Sequence, residues 1–105
     1  MPNRSARLDQ VFRALADPTR RAVLERLRSG PAATTELAGG FDMALPSFTQ
    51  HLDVLERSGL VRSRKTGRVR TYRLAPRPMH AAEHWLASQR RLDRLDDRLR
   101  TPKAV

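Results

Sequence analysis

The sequence predicts one small α+β domain that is mainly helical, with about five helices and a single β-hairpin. Two observations support this prediction. Apolar residues recur at helical spacing through most of the chain, whereas over residues 61–74 they alternate with polar residues, at the period of two that is typical of strands. A length of 105 residues suits one hydrophobic core, so we expect a single domain over residues 1–105.

The first two helices are predicted from an apolar stripe and a proline-containing start. A first helix runs to about Ala16, and its inward face has spacing i, i+3, i+4 and i+7: Leu8, Val11, Phe12 and Leu15. Asp17 is a favoured N-cap residue and Pro18 suits the first turn of a helix. A second helix is therefore expected from Pro18 to about Ser29.

A short helix and a longer one follow. Thr34 or Thr35 can cap the short third helix, which the glycines at 39–40 end. After a loop, Pro46 suits the first turn of a fourth helix, and Gly59 provides its end. A short helix, a turn and a second helix together predict a helix-turn-helix.

The hairpin and a long last helix complete the chain. A turn at residues 66–68 joins two strands, and Pro76 and Pro78 separate them from a C-terminal helix over 79–99. This helix has a near-heptad apolar seam, which we interpret as a dimerisation surface: Trp85, Leu92, Leu95 and Leu99. Residues 101–105 are expected to form a tail. With the hairpin as a wing, the predicted fold is a winged helix-turn-helix.

The charge is distributed unevenly and indicates a polyanionic partner. Lys and Arg number 21 against 11 Asp and Glu, a net charge of +10. No acidic residue lies between Glu56 and Glu83, and eight basic residues fill this interval: Arg57, Arg62, Arg64, Lys65, Arg68, Arg70, Arg73 and Arg77. A phosphate backbone, an anionic membrane surface or plain solvation of a charged edge strand could each explain such a hairpin.

The fourth helix favours DNA among these alternatives. Because Phe48, Leu52 and Leu55 face inward, polar residues near the helix N-terminus face outward, where recognition helices meet base edges. Gln50 is the best candidate, since its amide can pair bidentately with adenine. The predicted DNA-binding residues of the helix and wing are Ser47, Thr49, Gln50, His51, Arg62, Arg64, Lys65, Arg68 and Arg70.

Four sequence motifs resemble those of the ArsR family of bacterial winged-helix repressors. They are ALADPTRR at 14–21, ELA at 36–38, QHLDVLE at 50–56 and SGLV at 58–61. The resemblance implies a homodimer joined through the first and last helices, which binds an imperfect palindrome in double-stranded DNA and represses its own or a neighbouring operon. One departure is Leu45 at the start of the fourth helix, which we expect to pack beneath the turn rather than to touch a thymine methyl group.

The dimer prediction combines the resemblance with the apolar seam. Its residues lie on the first and last helices: Leu8, Val11, Phe12, Trp85, Leu92, Leu95 and Leu99. A small core and an apolar face without a partner in its own domain both favour such pairing.

Metal and enzyme functions find little support in the sequence. The family's cysteine metal site is absent, because the chain has no cysteine. His80 and His84 stand at i, i+4 and are weak candidates for a metal site, but the family's ligand pattern on the last helix is not reproduced. No nucleophile motif or phosphate loop is present, so we predict no cofactor and no enzyme activity. Without an apolar signal or spanning segment, the chain is expected in the cytoplasm.

Two other functions remain open at this point. The basic wing could bind an acidic protein partner, and phosphate attraction alone could give nonspecific nucleic-acid binding. The sequence also leaves open whether a small-molecule effector acts on the protein, and which genes and operator it serves.

Overall fold

The fold was described from a computed structural model, which covers the backbone of residues 4–99 and the side chains of residues 6–91. The predicted tail at 101–105 lies outside these residues. The elements in chain order are α1 (Arg4–Leu15), α2 (Pro18–Leu27), β1 (Ala32–Ala33), α3 (Thr34–Ala38), α4 (Leu45–Arg57), β2 (Val61–Thr66), β3 (Val69–Leu74) and α5 (Pro76–Leu99). The described range thus confirms the mainly helical α+β prediction, with five helices and a hairpin.

The turn between α1 and α2 has the predicted cap. Asp17 is the N-cap of α2, and its Oδ2 accepts the backbone N–H of Arg20 at 3.0 Å. Pro18 occupies the first turn, where a missing N–H breaks no helical hydrogen bond.

The cap of α3 differs from the prediction. The N-cap residue is Ala33 rather than Thr34 or Thr35, and the Glu36 carboxylate accepts the Ala33 N–H at 2.9 Å. Thr34 instead donates its hydroxyl to the carbonyl of Arg70 at 3.3 Å. The reason is the preceding strand β1, which fixes residues 32–33 in extended conformation, so that the cap lies one or two residues earlier than predicted.

The end of α4 forms a Schellman motif, in which Gly59 adopts a positive φ of 81°. Gly59 N–H donates to the Glu56 carbonyl at 3.0 Å, and Leu60 N–H donates to the Leu55 carbonyl at 3.1 Å. A Cβ at position 59 would also stand 3.2 Å from the Pro78 ring. The motif turns Leu60 into the core and starts the wing directly after α4.

The sheet has three antiparallel strands in the order β1-β3-β2. Gly67 and Arg68 form the two-residue turn between β2 and β3. Gly67 has a positive φ of 62°, whereas Arg68, like every other non-glycine residue of the described chain, does not. A positive φ at the first turn position alone is typical of a type II′ turn. Strand β1 was not predicted, because two residues are too short to show an alternating pattern.

Helix α5 begins at Pro76, three residues before the predicted start at Met79. Pro76 and Pro78 therefore lie within its first turn and do not separate it from the hairpin. Proline is tolerated there because the first N–H groups of a helix have no internal partner.

The core joins the three inward-facing residues of α4 to the other elements. Phe48, Leu52 and Leu55 are each fully buried, as predicted. Around them pack buried side chains from every other element: Val11, Ala14, Val23, Leu24, Leu27, Ala32, Leu37, Leu60, Val61, Tyr72 and Ala82. Each large aliphatic side chain so buried contributes roughly 1.5–3 kcal/mol, and together they fix α4 against the domain.

Candidate nucleic-acid interface

The N-terminal half of α4 presents a polar, exposed face. Ser47 and Gln50 are exposed, whereas Thr49 is half-buried and donates its hydroxyl to the Pro46 carbonyl at 3.0 Å. Leu45 is 51% exposed, so the expectation that it packs beneath the turn is wrong. Phe41 takes that place, with its ring centroid 5.1 Å from that of buried Phe48. Exposed side chains at this end of α4 can therefore make both polar and apolar contacts with bases.

His51 is placed differently from its neighbours on α4. Its side chain is only 23% exposed, and its Nδ1 lies 3.1 Å from Nη1 of Arg20 and 3.7 Å from Oδ2 of Asp17. Sequence reasoning missed Arg20, because its partner is 31 residues away and no local pattern connects them. The one sequence feature that could have indicated a role for Arg20 is its place in the motif at 14–21.

Arg20 and Arg21 also bind the C-terminal end of α1. Arg20 donates to the carbonyls of Ala14 and Arg13 at 2.8 and 2.9 Å, and Arg21 donates to the Leu15 carbonyl at 2.7 Å. These carbonyls lie in the last turn of α1, where a helix lacks regular internal donors, and the Arg13 carbonyl also accepts the Ala16 N–H at 3.2 Å. The motif at 14–21 therefore joins α1 to α2 and, through Arg20, to α4.

The pKa of Asp17 reflects this cluster. Partial burial alone would raise the pKa of Asp17, but the Arg20 N–H and the nearby His51 and Arg20 side chains bring it below its ordinary value. The carboxylate is accordingly held in its charged form at the start of α2.

The two faces of the wing carry different arginines. Residues that pair across the strands share a face, and Ser63 pairs with buried Tyr72 on the face that continues into the core. Lys65 and Arg70 extend this face toward the turn, whereas Arg62 and Arg64 lie on the opposite face. The predicted basic residues thus form two surfaces that meet at Arg68 in the turn.

Like charges stand directly opposite each other within the wing. Lys65 pairs with Arg70, and Arg62 pairs with Arg73. Such pairs destabilise an isolated hairpin, and no acidic residue of the hairpin itself offsets them. This arrangement becomes favourable when a polyanion covers the wing.

A hydrogen-bond chain fixes the wing to α4. The Glu56 carboxylate accepts the Ser63 hydroxyl at 2.8 Å and the Ser63 N–H at 3.2 Å. Arg70 in turn donates to the Ser63 hydroxyl oxygen at 2.7 Å. Burial, with a smaller contribution from the Glu56 charge, raises the pKa of the adjacent Tyr72 hydroxyl. Glu56 and Ser63 were not predicted as site residues, because their role depends on the register of the sheet.

Three of the predicted dimer residues, Leu8, Phe12 and Trp85, line one surface formed by α1 and α5. Leu8, Asp9, Phe12 and Trp85 border an open groove of about 430 Å³. The rings of Phe12 and Trp85 meet edge to face with centroids 5.6 Å apart, and Trp85 remains 43% exposed. Val11 lies beneath this surface in the core at 2% exposure. The side chains of Leu92, Leu95 and Leu99 lie outside the described residues.

His80 and His84 are exposed on α5. Within the side chains that the structure describes, no group of three or more His, Cys, Asp or Glu residues could hold a metal ion. Among the helices of the same range, none is both long and apolar enough to cross a membrane.

Helices α3 and α4 followed by a basic hairpin define a winged helix-turn-helix domain. The family described as a helix-turn-helix domain matches residues 15–64. A solved crystal structure of an ArsR family transcriptional regulator is 51% identical, with a TM-score of 0.84, over 96% of this chain and 100% of that one. The chain belongs to the ArsR family of transcriptional regulators.

Other relatives are consistent with this assignment. The transcriptional regulator Rv2034 of Mycobacterium tuberculosis is 47% identical over 65% of this chain and 64% of its own length. The arsenical resistance operon repressor of Escherichia coli is 35% identical over 79% of this chain and 76% of its own. The homodimeric winged helix-turn-helix DNA-binding domain of Mb0332 from Mycobacterium bovis, a solution NMR structure, is 27% identical with a TM-score of 0.64, over 84% of this chain and 83% of that one. The matched segment thus spans just under two thirds of Rv2034.

Proposed function

We propose that this chain is a sequence-specific DNA-binding transcriptional repressor, which binds as a homodimer to an imperfect palindrome in double-stranded DNA. The observation that supports this most strongly is the fixed relation between two surfaces. Glu56 ties the wing to α4 through Ser63, so an acid-free basic hairpin and an exposed polar helix face act as one rigid unit. A rigid pair of this kind can contact a major groove and the adjacent backbone together.

Each side chain of this unit has a distinct role in the proposal. Gln50 can pair with the edge of an adenine, Ser47 can bond a base or phosphate, and exposed Leu45 can contact a thymine methyl group. The wing contributes phosphate contacts from Lys65, Arg68 and Arg70. The first group would give sequence preference, and the second would give affinity that falls with salt.

Pairing of two subunits follows from the surface formed by α1 and α5. Exposed Trp85 and the groove beside Phe12 suit a second copy of the same surface. The related Mb0332 domain is homodimeric by its description. Two copies of α4 would then meet successive major grooves about 10 base pairs apart, which is the geometry of a palindromic operator.

The test is fluorescence anisotropy of the purified protein on DNA from upstream of its own gene, against a scrambled duplex of the same composition. Measurements at several salt concentrations separate base recognition from phosphate attraction. We expect tighter binding to the upstream duplex by about a thousandfold. Equal binding of the two duplexes with a steep salt slope would contradict operator recognition at that site.

A further inference from the structure

We propose that Arg20 is a positioning residue for DNA recognition: it holds His51 as the neutral tautomer with hydrogen on Nε2, and this N–H donates to a DNA phosphate. The DNA half of this proposal rests on the proposed function. Neither Arg20 nor the tautomer of His51 follows from the residue types of α4 alone.

The position of Arg20 is fixed by several contacts. Its own backbone N–H is bound by Asp17, and its guanidinium donates to two carbonyls at the end of α1 at 2.8 and 2.9 Å. The remaining Nη1 lies 3.1 Å from Nδ1 of His51. Because the two carbonyl contacts orient the planar guanidinium, they also fix the direction in which Nη1 points toward His51.

The direction of the Arg20 to His51 hydrogen bond determines the tautomer. A guanidinium carries donors and no acceptor, so Nδ1 of His51 must accept and cannot carry a hydrogen. The competing contact is with Asp17 at 3.7 Å, which would require a hydrogen on the same Nδ1. The distance to Arg20 is the shorter of the two, so we assign Nδ1 of His51 as the acceptor of the Arg20 N–H.

The second ring nitrogen, Nε2, is then the only hydrogen-bond donor of the His51 side chain. Within the described side chains, no buried nitrogen or oxygen lacks a hydrogen-bond partner. Nε2 of His51 takes part in none of the side-chain hydrogen bonds of this range, so it is not fully buried. It lies on the same helix as Ser47, one turn further on, beside the exposed face of α4. An N–H in this position can donate to a phosphate without reading a base.

The first experiment measures the tautomer in the free protein by long-range ¹H–¹⁵N correlation of the His51 ring near neutral pH. We expect an unprotonated Nδ1 and a protonated Nε2. In Arg20→Gln the guanidinium is absent, and we expect the two tautomers to exchange. Protonation of Nδ1 in the wild-type protein, in either the neutral or the charged ring, would overturn the proposal whatever the protein does with DNA.

The second experiment measures affinity for a duplex that the wild-type protein binds specifically. Arg21→Gln is a matched control, because Arg21 also donates to a carbonyl of α1, at 2.7 Å, and its replacement removes the same charge. We expect Arg20→Gln to weaken binding about tenfold more than Arg21→Gln, as for loss of a charge-assisted hydrogen bond.

A double variant separates positioning from general electrostatics. If Arg20 acts through His51, Arg20→Gln adds little to the loss already caused by His51→Ala. Additive losses, or equal effects of Arg20→Gln and Arg21→Gln, would overturn the proposal while leaving the repressor function intact. Should Arg20→Gln fail to fold, His51→Ala alone must show the tenfold loss, and wild-type affinity in that variant would overturn it. Absence of any duplex that is bound specifically would instead contradict the proposed function, and the ring measurement would still test the role of Arg20.

Discussion

At the scale of single residues, Asp17 combines two effects in one side chain. It caps α2 through the Arg20 N–H at 3.0 Å, and this N–H with the neighbouring charges lowers the pKa of the Asp17 carboxyl, although partial burial opposes the shift. Asp17→Ala removes both effects, and we expect a loss of about 1 kcal/mol in the free energy of unfolding, which is typical for an N-cap. Chemical denaturation at neutral pH measures this loss.

Asp17→Asn separates the charge from the cap, since asparagine caps helices as well as aspartate. A carboxyl whose pKa is lowered on folding stabilises the protein above its ordinary pKa, and this contribution is lost as the pH falls through the lowered value. We therefore expect wild type to exceed Asp17→Asn in stability at neutral pH and the difference to vanish in acid. A difference that stays constant with pH would contradict the role of the charge.

Gln50 is the residue for which base recognition is tested most simply. Gln50→Ala should reduce the preference for operator over scrambled DNA by about tenfold or more, because a bidentate contact to adenine contributes about 1–3 kcal/mol of discrimination. Binding to scrambled DNA should change little. Gln10→Ala, on the exposed face of α1, is the control. An unchanged preference in Gln50→Ala would show that other residues recognise the bases.

Some residues of the candidate interface could be predicted from the sequence, and others could not. Gln50 and Ser47 follow from helical periodicity once the inward face of Phe48, Leu52 and Leu55 is identified. The packing of Phe41 against Phe48 and the exposure of Leu45 did not follow, because the path of a loop depends on packing that local sequence does not encode. The contact of His51 with Arg20 joins residues 31 apart and required the tertiary structure.

At the scale of elements, the link between α4 and the wing decides how the two surfaces act together. Glu56→Ala removes the acceptor of both Ser63 bonds, and bonds to charged groups contribute about 1.5–3 kcal/mol. We expect faster amide exchange at Ser63 and weaker operator binding. Asp53→Ala, an exposed carboxylate one turn earlier on α4, removes the same charge and should leave the exchange rate unchanged.

The comparison of the two variants distinguishes geometry from charge. Removal of an acidic residue from a DNA-binding surface should by itself improve phosphate attraction. If Glu56→Ala bound operator more tightly than wild type, as Asp53→Ala is expected to do, the carboxylate would have no role in fixing the wing.

Elements were predicted most accurately where their signals are local. The caps at Asp17 and Gly59 and the turn at Gly67 follow from the chemistry of single residues. Strand β1 escaped prediction because its two residues are extended only through pairing with β3. The sequence predicts the start of α5 three residues too late, because prolines often interrupt helices although the first turn of a helix accepts them.

At the scale of the whole molecule, the wing forms a basic surface and the exposed side of α5 forms an apolar one. The wing has no acidic residue, whereas α5 exposes Trp85 and Leu86 at 43% and 53%. Periodicity and charge counts predicted this separation, because both are properties of long segments. The splitting of the arginines between two faces of the wing was not predicted, since it depends on the strand register.

Trp85 tests the apolar surface. We expect Trp85→Ala to weaken a homodimer, with a larger monomer fraction in sedimentation velocity at micromolar concentration, because aromatic anchors dominate interfaces. Val69→Ala in the wing removes a side chain that is 52% exposed and serves as a control. A Trp85→Ala protein with the wild-type dimer fraction would place the subunit interface elsewhere.

In the proposed function, two copies of this chain recognise a symmetric DNA sequence. The most direct measurement is selection of bound duplexes from a random pool by the wild-type protein, followed by sequencing. We expect an enriched inverted repeat, with half-sites centred about 10 base pairs apart. A pool that remains random after repeated selection, or an enriched sequence without any two-fold symmetry, would contradict it.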